Sequence, residues 1–453
     1  MNALIIITSI LCTLASISMF RIACGSMSLL KLNTVSYVFY VQIVTSGLVA
    51  SVLLAMGRLD YHPDVEVVSD AVKLEAWAWT MYSILIMPFG MIMLNKLFKV
   101  NGRQLFNTYL KAPIEIVGSM NRNKLVLLVL TFFAVSVLGY ILLNTKNVPL
   151  YTLLVEGDAN QANIDRITAR RDFGGIIYIK NLLGLIMIPV VSYYSYILMR
   201  KYKSLFFIGI FVVNLLVALI LVSHDVQKAP VAFYILGFAI LEVFIAGGIS
   251  KKTFVTFVVL PVAAILVGYS LTTDHGIADQ LFRTNSGFYG RTFLIGYFGF
   301  PLSLELFPDV ITVETYGVGI PSFIIDHTSM NAVESARLLK MYIHPETVNA
   351  GTGNLYSGFY MGEAWANYGY VGLVIAPLVV GFVVQSVHLF LLKNAKEPWL
   401  LAFYVALTVK WVVGSGFVNF LFLKLLIWPL ILFAASNFLL KKMLKVNRES
   451  SIH

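Results

Sequence analysis

Three arginines, Arg166, Arg170 and Arg171, run into Asp172-Phe-Gly-Gly175 and make the cluster in this chain best suited to holding an anion. Arg166 and Arg170 stand four residues apart, so on a helix they share a face. The planar guanidinium fork takes phosphate oxygens two at a time. The plainer reading is a salt-bridged loop, because Asp165 and Asp172 adjoin the cluster. A second candidate is Glu363, in Gly362-Glu-Ala-Trp-Ala-Asn-Tyr-Gly369 just ahead of a long apolar run. It is either a substrate-facing carboxylate or a helix N-terminal acid complementing the dipole. His275, beside Asp274, is the histidine best placed to act as a base.

Metal chemistry has weaker support. Glu156-Gly-Asp158 is at most half of a site, and the sequence has neither a His-Glu-x-x-His motif nor a cysteine cluster. No metal is therefore expected. Cys12 and Cys24 would lie about 18 Å apart on one helix, too far for a disulfide. The paired glycines at 317–319 and 351–353 suit tight turns, but no Gly-Lys-Ser/Thr follows to make a phosphate loop.

The elements that position these residues follow from composition. The 453 residues are 58% hydrophobic and only 12% charged, half the charge of a soluble domain. Lipid must solvate such a chain, and in lipid the backbone is satisfied only within helices or a closed barrel. Barrel strands alternate apolar and polar residues; here the apolar runs are continuous, so the fold is all-α and polytopic. Eleven runs approach the roughly 20 residues a span needs: 3–20, 34–57, 75–94, 125–143, 174–198, 204–222, 230–248, 253–271, 369–392, 399–417 and 420–440. The first carries no preceding Lys or Arg and no cleavage pattern, and reads as a retained helix rather than a signal peptide.

Charge orients the spans. One set of alternate connections and the C-terminal tail carry 19 Lys and Arg against three acids, while the other set carries 11 against 19 acids. By the positive-inside rule the first set is cytoplasmic, which leaves the N-terminus outside and the C-terminus inside. The net charge of +10 then belongs to a cytoplasmic collar facing anionic lipid and gives no sign of a nucleic-acid partner.

The chain reads as one transmembrane domain, 1–453, with two enlarged external loops near 144–173 and 272–368. Both far exceed ordinary connections of 4–6 residues and are expected to be functional. Within the longer loop, 288–307 (FYGRTFLIGYFGFPLSLELF) is apolar and aromatic but broken by Gly, Pro and charge. It is expected to be an interfacial or re-entrant segment roofing a cavity.

About a dozen helices, two enlarged external loops, arginine-rich loop ends, Arg166 to Gly175 entering one helix and Gly362 to Gly369 opening another together resemble the Wzy-type O-antigen and capsular repeat-unit polymerases. The resemblance implies a GT-C-like fold in the bacterial inner membrane, with the active site on the periplasmic face. It implies inverting transfer of a growing glycan from undecaprenyl pyrophosphate to a new lipid-linked repeat unit, with a chain-length regulator as a partner. On that chemistry Arg166, Arg170 and Arg171 hold the pyrophosphate, and Arg283 and Arg291 close over it. Glu363 or His275 takes the proton of the acceptor hydroxyl, and no cofactor is needed. Tyr316, Tyr360 and Trp365 offer rings for sugar stacking, although loop aromatics at a membrane are also ordinary anchors. An O-antigen ligase of the same fold and a transporter or flippase for lipid-linked oligosaccharide are the alternatives. A transporter would place its charges in broken helices near the midplane, often in repeated halves.

Overall fold

A computed structural model describes residues 1–272, 281–284, 287–313, 333–349, 358–410 and 416–445, with the single positions 315, 317, 318, 320, 325, 328, 355 and 356. Of Arg170, Arg171, Tyr269, Leu271, Thr272, Asn349 and Lys445 only the backbone is described. The described residues form helices and no strands. Ten helices are long and apolar enough to cross a membrane, and a shorter apolar helix, Pro398–Lys410, corresponds to another of the runs read from the sequence.

In chain order the helices that matter here are α1 (Asn2–Cys24), α2 (Thr34–Ala55), α3 (Asp70–Leu97), α4 (Gly102–Lys111), α5 (Met120–Leu143) and α6 (Ala159–Arg171). There follow α7 (Ile179–Tyr202), α8 (Leu205–Ser223), α9 (Lys228–Ala246), α10 (Lys251–Thr272) and α11 (Ile295–Leu306), which is entered through the π turn Gly290–Leu294. The chain closes with α12 (Ser335–Ile343), α13 (Phe359–Lys393), α14 (Pro398–Lys410), the short α15 (Val418–Leu421) and α16 (Lys424–Lys445).

The cation-rich connections gather at one end of the bundle. Lys396 donates to the carbonyls of Leu110 (3.1 Å) and Ala112 (2.8 Å) at the C-terminus of α4. Asn95 donates to the Ala23 carbonyl (2.8 Å), Ile249 N–H to Leu30 (3.0 Å) and Arg122 to Leu444 (2.9 Å). This basic end thus joins six segments that are distant in sequence. Intramembrane charge is paired where it packs: Glu242 on α9 meets Arg200 (2.9 Å) and the Tyr196 hydroxyl (2.5 Å) on α7.

The long connections pack at the other end. Asp165, 3% exposed, accepts from Asn147 (3.0 Å), Thr152 (2.8 Å) and Gln161 (2.9 Å), which fastens α6 over the bundle. Burial would raise its carboxyl, but these three donors hold it below the usual range. Asp158 caps the same helix by accepting from Gln161 N–H (2.8 Å). Half of the Glu156/Asp158 pair is therefore occupied in starting a helix.

Asp64 ties a second long stretch down, accepting from His344 Nε2 and the Tyr356 hydroxyl at 2.8 Å each. Burial pushes Asp64 up, but those bonds and the adjacent His62 and His344 leave it below the ordinary carboxylate range. Because the native pKa lies below the unfolded value of about 3.9, this anchoring is complete at neutral pH. It fades as acidification passes through the lowered native value. Asp64→Ala is expected to loosen 333–349 and Tyr356 by about 2 kcal/mol. Tryptic cleavage after Arg337 and Lys340 should then rise roughly 10–30-fold, against an unchanged wild-type rate between pH 6 and 8.

The segment 288–307 does not lie across the surface. Tyr297, Phe298, Phe300 and Leu302 are fully buried, and α11 packs against α13, α3 and α2. Its direction follows from its partners on α3: Tyr297 pairs with Thr80 (2.9 Å), and Glu305 with Ser69, just before that helix begins (2.9 Å). The helix therefore rises from inside the bundle to the loop end.

A second limb that starts inside the bundle precedes the span read at 369–392. Tyr360 and Val374 contact the neighbouring α3 residues Ser83 and Tyr82 and so lie at one depth. Between them Trp365 reaches the Phe307 carbonyl (3.1 Å), at the end of α11. Residues 359–368 therefore climb outward and 370–393 return inward. The reversal falls at Gly369 (φ 56°, ψ −141°), a conformation that only glycine adopts without strain.

Candidate functional site

The outward limb of α13 carries Glu363. Its side chain, 9% exposed, accepts a hydrogen bond from the Val418 N–H at 2.8 Å. The carboxylate thus serves the start of α15 and not its own helix, which revises the expected dipole role. Gly416 lies directly behind it, and a Cβ there would overlap the carboxylate oxygens. A glycine at this point is what lets the two segments meet.

Glu363 faces a cavity of about 330 Å³, within the range of small-ligand sites. Ser303, Ser335, Asn419 and Tyr356 supply polar groups around it, while Glu334 and Lys424, both exposed, stand at its mouth. The positive charge of Lys424 acts on Glu363 and the negative charge of Glu334 opposes it. Through Tyr356 the Asp64–His344 anchor fixes one wall, and Lys340 rests 4.9 Å over the Tyr356 ring. The arrangement suits a polyhydroxylated ligand with one hydroxyl presented to the carboxylate.

A second cavity, about 480 Å³, opens between α7, α8, α9 and α14. Its walls are mainly apolar, with Lys180, Lys410, His224 and Asp225 as the ionisable groups. Lys180 donates to the Ala169 carbonyl on α6 (3.3 Å) and lies 4.8 Å over the Phe173 ring. Gly416 of the first cavity follows Lys410 of the second by six residues, a reach of at most about 20 Å.

Cations cluster beside this second cavity. The charges of Arg291, in the π turn before α11, and of Arg166, on α6, both act on Lys228 at the head of α9. Two of the expected anion-binding arginines are therefore brought to one place, around a lysine the sequence reading passed over because it stood at the edge of a short loop. The buried Asp165, next to Arg166 in the chain, is satisfied by three neutral donors. Arg283 is exposed ahead of α11, and its carbonyl accepts from Gly287 (3.1 Å) and Gly290 (3.3 Å).

His275 and Tyr316 lie outside the described residues, as do the side chains of Arg170 and Arg171. One expected sugar contact needs correction. Tyr360 is fully buried with its hydroxyl on Ser83, so neither ring face is open to a glycan. Trp365 commits its indole N–H to Phe307 and its ring to Tyr370, 4.9 Å away, and is not among the residues lining the Glu363 cavity. Tyr356 lines that cavity. Among the described residues, no group of three or more His, Cys, Asp or Glu is arranged to hold a metal ion.

Comparison with family models, with curated proteins and with solved structures returned no match to this chain.

Proposed function

We propose that this protein is an inverting membrane glycosyltransferase that polymerises undecaprenyl-pyrophosphate-linked repeat units into O-antigen or capsule-type polysaccharide. On this reading it sits in the bacterial inner membrane, with a GT-C-like fold, the basic end cytoplasmic and the Glu363 cavity periplasmic. The observation that carries the reading is Glu363 itself: a nearly buried carboxylate, held by a backbone N–H, facing an open polar cavity at the loop end. In the proposed step the acceptor hydroxyl gives its proton to Glu363 as its oxygen attacks the anomeric carbon of the donor. The bond to pyrophosphate breaks, and the leaving oxygen takes the electron pair. Arg166, Arg291 and Lys228 stabilise the departing anion, with Arg170, Arg171 and Arg283 as further guanidiniums nearby in the chain.

The direct test is to supply purified protein with lipid-linked repeat unit and resolve the glycan. A ladder of lengths supports polymerisation; transfer of a single block to a lipid A core acceptor would favour a ligase, and neither product would defeat the enzyme reading. Orientation is tested separately, with Cys12 and Cys24 replaced by serine. Single cysteines at Asn160 and Arg337 are expected to react with an impermeant maleimide from outside, and those at Lys252 and Ala395 are not. The reverse pattern would refute the topology.

A further inference from the structure

None of the residues lining the apolar cavity beside α14 takes the proton or the leaving charge in the transfer step, yet the cavity's chemistry points to a ligand. Helix α14 rises only about 20 Å from Pro398 to Lys410, short of the roughly 30 Å of a full span. Lys410 therefore lies inside the bundle. It faces a cavity walled by Leu185, Pro189, Leu221, Val222, Phe233 and Val409. Among the described residues Lys410 forms no hydrogen bond or ion pair, whereas Glu242, an acid within a span, is paired with Arg200. An ammonium group in such surroundings is costly until an anion joins it.

We infer that this cavity is the seat of an amphiphilic anion, a hydrocarbon chain ending in pyrophosphate, with Lys410 and Lys180 receiving the charged end. A small hydrated ion would leave the apolar walls uncovered, and a neutral lipid would leave Lys410 without a counter-charge. Lys228 stands between the lining residues Gln227 and Ala229, and the charges of Arg166 and Arg291 act on it. Asp225 is the one carboxylate in the lining, and it accepts from the Gln227 side chain. Ile177, Asn181 and Ala229 are exposed at the rim, which leaves a way in from the side. The inference deepens the proposed function by giving the lipid carrier a place, and rests on it for the choice of pyrophosphate.

The test is equilibrium binding to the full-length protein in detergent, without turnover, using farnesyl pyrophosphate against inorganic pyrophosphate and farnesol. Farnesyl pyrophosphate is expected to bind at least about tenfold more tightly than either, because both ends of the site contribute. Lys410→Gln should weaken it about tenfold. Ala229→Trp, which adds bulk at the exposed rim and spares every charge, should weaken farnesyl pyrophosphate and leave inorganic pyrophosphate unchanged. Wild-type affinity in either variant overturns the assignment, as does equal binding of inorganic pyrophosphate or farnesol. The two readings fail separately: a protein that binds as expected yet makes no polymer keeps the cavity and loses the transferase.

Discussion

Glu363→Gln is expected to insert and fold normally and to lose polymerising activity by about 10²–10⁴-fold, the usual contribution of a positioned general base. The amide keeps the size of the side chain and can still accept from Val418 N–H, so the bond that fixes the group survives. What disappears is the capacity to take a proton. A carboxylate that merely served the start of α15 would be replaced by glutamine at a cost of about 1 kcal/mol or less and leave polymer length unaffected. Gly416→Ala probes the same group from the other side. Its Cβ overlaps the carboxylate, so Glu363 must swing away from Val418. Misplacement by about an ångström is enough to cost on the order of 10²-fold in rate, chiefly in kcat because the rest of the cavity is untouched. Normal ladders from both variants at normal expression would remove Glu363 from the chemistry.

The apolar runs place most of the helices because spanning is decided locally, by hydropathy over 20 residues. What runs cannot register is a helix that starts inside. Residues 359–368 carry Glu363 and Asn367 and read as loop, and only Gly369 hints at a reversal. Residues 399–417 read as one span because Val412, Val413 and Phe417 are as apolar as lipid-facing residues. The described helix runs to Lys410, and Gly416 already stands against Glu363. The last run, read at 420–440, falls within the apolar helical stretch Val418–Leu444. The site shows the same division. Glu363 was legible as an acid at the mouth of an apolar run, but its partners Val418 and Gly416 lie far along the chain. Tyr360 was misjudged for that reason: Ser83, which takes its hydroxyl into the core, is equally remote. Tyr356 owes its exposure to the cavity to Asp64, again a pairing that no local pattern announces.

Arg166→Ala and Arg291→Ala are each expected to reduce polymer formation by about 10²–10³-fold while leaving the helices inserted. The two residues come from separate elements, and the charges of both act on Lys228. Removing one charge-assisted donor from a transition-state oxyanion costs on the order of 2–4 kcal/mol. An exposed salt bridge in the same position is worth about 1 kcal/mol or less and would leave activity near normal. Arg170→Ala and Arg171→Ala, one turn further along the same helix, belong in the same series and are expected to lose activity comparably. Lysine at each position separates charge from shape: it restores the field but not the bidentate fork, so partial recovery is expected where the guanidinium grips phosphate oxygens. Full recovery would mean that the cluster only sets the local potential. If alanine at Arg166 and at Arg291 still gives full-length polymer, the pyrophosphate does not sit among these cations. The proposed transfer would then need another stabiliser for its leaving group.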